Sequence, residues 1–281
     1  MAAQNLPSAR FRRIGLELRR LRLEAGMTMK EAGAFLDRSS SSISLLEAGT
    51  QAIRPRDLDY ILMKYGHAEG PFREAMLELA REGRKKGWWH RYAHALSPEL
   101  MDFLSLETDA RSISTYQTVL VPGLLQTPDY ARALLDPDST SALRDALEVR
   151  MARQTLLDTS SPPRLTAILD EAVLRRQVGG AAVMRDQLAR LRDLSEREHL
   201  DIRITPFEAG AHRGLNGPFT ILELGVRGRL TIVTLESLQG MSYVENTKDV
   251  HRYETVFDEL TRSALSKADS RDLLERLRSE S

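Results

Sequence analysis

Two helix-start signals, Thr28 and Ser39, stand on either side of a tight turn, and their spacing constrains the fold more than any other feature of the chain. Thr28, with Glu31 three residues later, forms a T-x-x-E capping box, after which Ala32, Phe35 and Leu36 fall on one helical face. Asp37 and Arg38 follow. Ser39 then opens a second helix carrying Ile43, Leu46 and Glu47, and Gly49 stands where a C-terminal glycine ends it. Gly33 is a poor helix former, by about 1 kcal/mol relative to alanine, so its presence implies that the two helices approach closely. Upstream, residues 11–25 place Ile14, Leu18 and Leu21 on one stripe with Leu16 and Leu23 off it, and Gly26 ends that helix. Its polar face holds Arg12, Arg13, Arg19, Arg20 and Arg22. Helices are also expected over 56–65 and 71–84, the second with proline in its first turn. The expectation is a compact five-helix domain over residues 1–84.

The strings LRxLRxxAGMT at residues 18–28 and ISxLExG at residues 43–49 resemble the lambda-repressor/Cro (XRE-like) helix-turn-helix family, with the match covering about residues 10–66. The resemblance implies that 39–48 is a recognition helix in the major groove of double-stranded DNA, and that Arg22 and Glu47 form a structural ion pair. Departures are informative. Positions that often bear Gln, Lys or Arg in the family are Ser40, Ser42 and Leu45 here, and the usual turn glycine is Asp37. Hydroxyls at Ser40, Ser41, Ser42 and Ser44 can meet several base edges or a phosphate. They therefore discriminate less than a bidentate arginine–guanine contact, worth about 1–3 kcal/mol. Arg38, Arg54 and Arg56, with the helix N-terminal amides near Ser40, are the expected phosphate contacts. With the caps Thr28 and Ser39, these residues make up the expected DNA-facing set.

Formal charge is zero, with 40 basic and 40 acidic residues, which by itself argues against a nucleic-acid protein. The charge is segregated, however: residues 1–91 carry 17 Lys+Arg against 11 Asp+Glu, which leaves 23 against 29 for the remainder. A basic N-terminal part suits phosphate, and an acidic remainder suits proteins or small ligands. Cysteine is absent, which excludes thiolate chemistry, disulfides and cysteine-ligated zinc. No apolar run approaches the roughly 20 residues of a membrane span, and no apolar signal core stands at the start, so a soluble cytoplasmic protein is expected.

The run Arg84-Lys85-Lys86-Gly87 breaks the helical pattern ahead of the two tryptophans, Trp88 and Trp89, and places a domain boundary near residue 85. The adjacent indoles read as an anchor pinning the start of the second domain to its core, or as a stacking platform. Residues 85–281 mix periods. Strands are expected at 112–121, 165–169, 202–207, 219–224 and 230–235, and helices at 127–135, 144–159, 181–199, 249–263 and 270–278. The class is α+β or α/β, a helical domain followed by a larger mixed domain with a small sheet. The strings WWHRYA, TYQTVLVPGLLQTPDYARALL, LDEAVLRR, PFEAGAHRGLNGPFTILE and VFDELTRSALS resemble the ligand-binding-like domain of unknown function that commonly follows this helix-turn-helix in actinomycete-type regulators, over about residues 88–267. Thr166 stands where a tryptophan is expected before LDEA. The resemblance implies a regulator whose second domain senses a ligand or binds a small partner protein, often one encoded nearby.

Asp170 and Glu171 at a strand end, and His212 with Arg213 in the loop holding Gly210, Gly214 and Gly217, are candidates for acid–base work. The simpler readings are a helix cap for the acidic pair and a loop histidine for His212, since no second ligand falls at metal spacing. The glycines lack the Lys-Ser/Thr pair and following helix of a phosphate loop. No catalytic residue, cofactor or metal is therefore expected. The sequence reads as a homodimeric, DNA-binding transcription regulator that needs no membrane. A non-DNA adaptor, or a hydrolase in the second domain, is the alternative.

Overall fold

The structure is a computed structural model that describes residues 8–83, 87–135, 140–224, 230–237 and 240–280. The expected boundary near residue 85 lies outside the described residues. The chain divides into two compact units, residues 1–109 with 224–231, and residues 110–223 with 232–281.

The first unit is helical: α1 (Ala9–Glu24), α2 (Met29–Phe35), α3 (Ser40–Glu47), α4 (Pro55–Lys64), α5 (Pro71–Glu82), a 3-10 turn at Trp88–Tyr92, and α6 (Pro98–Asp109). Thr28 caps α2 in a full capping box and Ser39 caps α3 by accepting the Ser42 amide. Ile14, Leu18, Leu21, Ala32, Leu36, Ile43, Leu46, Leu58, Ile61, Leu62 and Met76 form the buried core, while Leu16 and Leu23 stay exposed. Two glycines permit the close packing. A Cβ on Gly15 of α1 would lie 2.4 Å from the Glu47 carbonyl oxygen on α3. Gly49 has φ +71° and also presses on the Arg12 backbone, where a Cβ would come within 2.5 Å of its Cα. At Gly33 the close neighbour is the turn itself, since a Cβ would sit 2.7 Å from the Arg38 carbonyl oxygen. The small residue there lets α2 close on both the turn and the start of α3, whose Ser40 nitrogen would lie 3.3 Å from that Cβ.

α6, which the periodicity reading passes over, fastens the start of α1: Asp102 accepts the Ala9 amide at 2.7 Å, and the buried Arg10 pairs with Asp109 at 2.5 Å and donates to the Ser105 carbonyl at 2.7 Å. Burial pushes the Asp102 carboxyl up, an effect that the Ala9 amide opposes. The tryptophans fall within this unit. Trp89 is buried and meets Trp88 edge-on at 5.9 Å within the first unit.

The second unit is built on a six-stranded sheet of order β3-β2-β1-β4-β5-β6. Its elements are β1 (Ala110–Gln117), α7 (Pro128–Ala133), α8 (Thr140–Gln154), β2 (Arg164–Asp170), α9 (Glu171–Arg175), α10 (Ala181–Leu194), β3 (Leu200–Thr205), β4 (Phe219–Leu224), β5 (Leu230–Ser237), β6 (Gly240–Val244), α11 (Thr247–Ser263) and α12 (Lys267–Glu280). The strands β1, β2 and β3 are parallel, with Tyr116 level with Ile168 and Asp170 level with Thr205. β5 and β6 are antiparallel, so the sheet is mixed and the class is α+β. β1 ends before the 112–121 expectation does, because the chain turns out of the sheet at 118–120 toward Pro122. One core cluster joins Tyr116, Ile168, Phe219, Ile221 and Val233 to Val250, Phe257 and Leu260 of α11. Gln187 of α10 and Gln154 of α8 hold the 121–127 loop after β1: the Gln187 side chain bonds the Leu125 carbonyl and the Thr127 amide, and Gln154 bonds the Gly123 and Gln126 carbonyls.

Candidate nucleic-acid interface and the carboxyl edge of the sheet

The outer face of α3 follows from its inner one. With Ile43, Leu46 and Glu47 buried, the helical period leaves Ser40, Ser41, Ser44 and Leu45 exposed on the opposite side. Leu45 is 49% exposed, an apolar contact offered beside three hydroxyls. Ser42 is half-buried. The hydroxyls of Thr28 and Ser39 act on their own helices. Thr28 accepts the Glu31 amide and donates to its carboxylate at 2.8 Å, and Ser39 accepts the Ser42 amide at 3.1 Å. Thr28 is therefore committed to its cap, whereas Ser39 keeps a hydroxyl proton to donate. Two hydrogen bonds from Thr28, the backbone amide first and the hydroxyl second, pull the Glu31 carboxyl below its usual range.

Asp37 carries the reversal with φ +54°, the one positive φ outside glycine among the described residues. Aspartate tolerates that region better than most side chains. Arg38 follows it in the turn, and Arg54 and Arg56 are exposed around the start of α4. None of these three guanidiniums forms an ion pair with a described residue. Arg22 behaves in the opposite way. Its Nε and one Nη hold both oxygens of Glu47 at 2.6 and 3.0 Å, the other Nη donates to the Met27 carbonyl at 2.8 Å, and both side chains are buried. The carboxylate raises the arginine's already high pKa. The arginine face read on α1 is thus divided: Arg13 and Arg22 are buried, Arg20 spans Glu17 and Glu24, and Arg19 is exposed.

The second unit gathers three polar residues at the carboxyl ends of β1 and β2. Asp170 is the N-cap of α9, one oxygen accepting the Ala172 amide at 2.9 Å. Its other oxygen accepts from the Tyr116 hydroxyl at 3.5 Å and lies 3.9 Å from His212 Nε2. His212 meets Tyr116 edge-on at 5.9 Å, and Gly214 is pressed on the same ring, where a Cβ would come within 2.5 Å. Burial first, and the Asp170 charge second, push the Tyr116 hydroxyl far above its ordinary pKa. Glu171 turns the other way, to Arg175 at 2.6 Å and the Phe207 amide at 3.0 Å. Sequence reasoning singles out Asp170 and His212 separately and misses Tyr116, whose strand pattern carries no mark of what its hydroxyl meets. The distances exceed the roughly 2.6–3.2 Å of a nucleophile–base pair. Among the described residues no group of three or more His, Cys, Asp or Glu could hold a metal ion, and no helix is long and apolar enough to cross a membrane.

Comparison with known proteins also finds two parts, although the second match begins within α6, which packs in the first unit. A helix-turn-helix domain family matches residues 13–75, the α1–α5 region, and the Domain of unknown function (DUF5753) matches residues 100–276. No curated relative and no solved structure matches the chain. Since DUF5753 covers more than half of its length, the chain belongs to that family, as a helix-turn-helix regulator with the domain of unknown function on the C-terminal side of its DNA-binding fold.

Proposed function

We propose that the protein is a transcription regulator, not an enzyme, which docks α3 in the major groove of double-stranded DNA as a homodimer. In this reading Ser40, Ser41, Ser44 and Leu45 face the bases, and Arg38, Arg54 and Arg56 grip phosphates and set the register. The observation that carries it is the exposed hydroxyl face of α3 flanked by three arginines without ion-pair partners among the described residues. Two copies on half-sites about 34 Å apart compensate for the few base contacts that one short helix makes. The DUF5753 unit binds a small partner protein or ligand and biases DNA occupancy, which requires that this partner distinguish the DNA-competent state from the other.

Binding of the full chain to genomic fragments across a salt series tests the reading. Three phosphate contacts per protomer in a dimer give a log–log slope of about −5. No binding at low salt, or binding indifferent to salt, refutes it in favour of an adaptor role.

A further inference from the structure

The carboxyl edge of β1–β3 carries polar groups that its own contacts do not satisfy. His212 Nδ1 and Thr205 Oγ1 are buried without a hydrogen-bond partner. Thr205 is level with Asp170 on the neighbouring strand and so shares its face of the sheet. Strand order reverses at this edge, because β1 lies between β2 and β4. The segment from β3 to β4 therefore has to pass the ends of β2 and β1, and His212 and Gly214 mark where it does so. Crevices outside the carboxyl ends of strands at such a reversal are where open sheets take ligands.

Beside this edge lies a cavity of about 550 Å³ walled by residues 213–219, the end of β5 and the first half of α11. That volume is within the range of small-molecule sites. Its floor is the buried Phe219 with the half-buried Leu235, Val244, Tyr253 and Val256 around it, the Phe219 and Tyr253 rings lying 5.1 Å apart at 62°. Arg213 and Arg252 stand at its mouth, 56% and 77% exposed, in long pairs to Glu259 at 3.5 Å and Asp249 at 3.3 Å. Exposed pairs of this kind are worth about 0–1 kcal/mol and are readily exchanged for a ligand's acid group. Asp249 lies in the first turn of α11, where the helix end already engages it. With Glu236 it brings the formal charge of the lining to zero, so the contact to an acid group rests on where the two guanidiniums stand, and a polyanion is disfavoured.

We propose that this cavity is a binding site for a small amphipathic aromatic monoanion, its rings on Phe219 and Tyr253 and its acid group on Arg213 and Arg252. The proposal rests on reading the second unit as the effector-binding part and gives that effector a chemical class. Phe219 also meets Tyr116, with ring centroids 6.1 Å apart. A ligand seated on Phe219 thereby leans on the Tyr116–Asp170–His212 group.

The test uses the full-length protein and the fluorescent monoanion 8-anilinonaphthalene-1-sulfonate, with 1-naphthylmethylamine as its cationic counterpart. One saturable site per chain is expected. Val256→Trp, which fills the cavity, should abolish binding, and Arg213→Ala should weaken it about tenfold through the loss of one charge-assisted hydrogen bond. Both variants are checked by thermal melting. Arg213 is exposed, so its variant remains informative even if the tryptophan perturbs the fold. Absence of saturable binding, undiminished affinity in Arg213→Ala, or tighter binding of the amine overturns the proposal. DNA occupancy is read separately: a probe that binds as described without altering DNA affinity leaves the site standing and refutes the effector reading. Failed probe binding with an intact salt slope removes the site alone.

Discussion

Removing the Glu47 carboxylate tests how the helix-turn-helix is held. Arg22 and Glu47 are 8% and 5% exposed at their side chains and share two hydrogen bonds, while Arg22 also reaches the Met27 carbonyl. Glu47→Ala leaves a guanidinium buried with one carbonyl for company. Breaking such a pair from one side costs about 3–5 kcal/mol, most of it the penalty of an uncompensated buried charge. For a helical unit of this size that corresponds to a fall in melting temperature of about 12 °C or more. The assay is calorimetric melting of wild type, Glu47→Ala, Arg22→Ala and the double alanine variant, followed through the transition of the helical unit. The double variant should be less unstable than the single losses added together, because the second deletion removes the orphaned charge. Arg22→Met with Glu47→Leu, which replaces the pair by apolar groups, should lie near wild type. At temperatures where Glu47→Ala is folded, its DNA affinity should stay close to wild type, since Glu47 faces inward from α3. A loss below about 1 kcal/mol for Glu47→Ala, or strict additivity in the cycle, refutes the argument that burial makes this pair a strut.

Three further outcomes are expected. Arg38→Ala should weaken binding to cognate and random DNA alike and reduce the salt slope by about 1 per protomer, whereas Ser41→Ala with Ser44→Ala should lower preference for the cognate site more than it lowers random binding, as competition titrations would show. Gly49→Ala should destabilise the helical unit by more than the roughly 1 kcal/mol typical of a surface glycine change, because the left-handed φ and the Arg12 backbone both oppose a Cβ; chemical denaturation measures this. The Thr28–Glu31 box should stabilise α2 above the ordinary glutamate range and lose that contribution as pH falls through the depressed Glu31 pKa, so a Glu31→Gln variant should show a flatter stability–pH curve between about pH 5 and 3.

Much of the helical unit is legible in the chain because its signals are local. A cap and its partner are three residues apart, a C-terminal glycine follows its helix directly, and an apolar stripe needs only neighbouring turns, so α1–α5 start and stop close to where Thr28, Ser39, Gly49 and Pro71 place them. α6 is available on the same terms, since Ser97 caps it by accepting the Leu100 amide and Pro98 opens it, but a reading centred on the tryptophans passes over it. β6 offers less. Its few residues become a strand through pairing with β5, in the register Val233 to Val244, and no local pattern specifies a partner. The cluster at the sheet edge is legible only in parts: Asp170 reads as a cap from its own neighbours, while its approach to Tyr116 and His212 depends on strand order.

The sequence by itself determined the helix-turn-helix, the serine-rich outer face of its second helix and the division into a helical part and a mixed α+β part, because capping, turn geometry and periodicity act over a few residues. Tertiary structure decided what each arginine is for. Arg10 and Arg22 are struts because Asp109 and Glu47 are folded against them from far along the chain, and Arg38, Arg54 and Arg56 stay available to an anion because no described carboxylate is folded against them. A guanidinium carries the same charge in either setting. Its role depends on whether burial has supplied a carboxylate or left it facing water, and that is settled only by which distant segments meet.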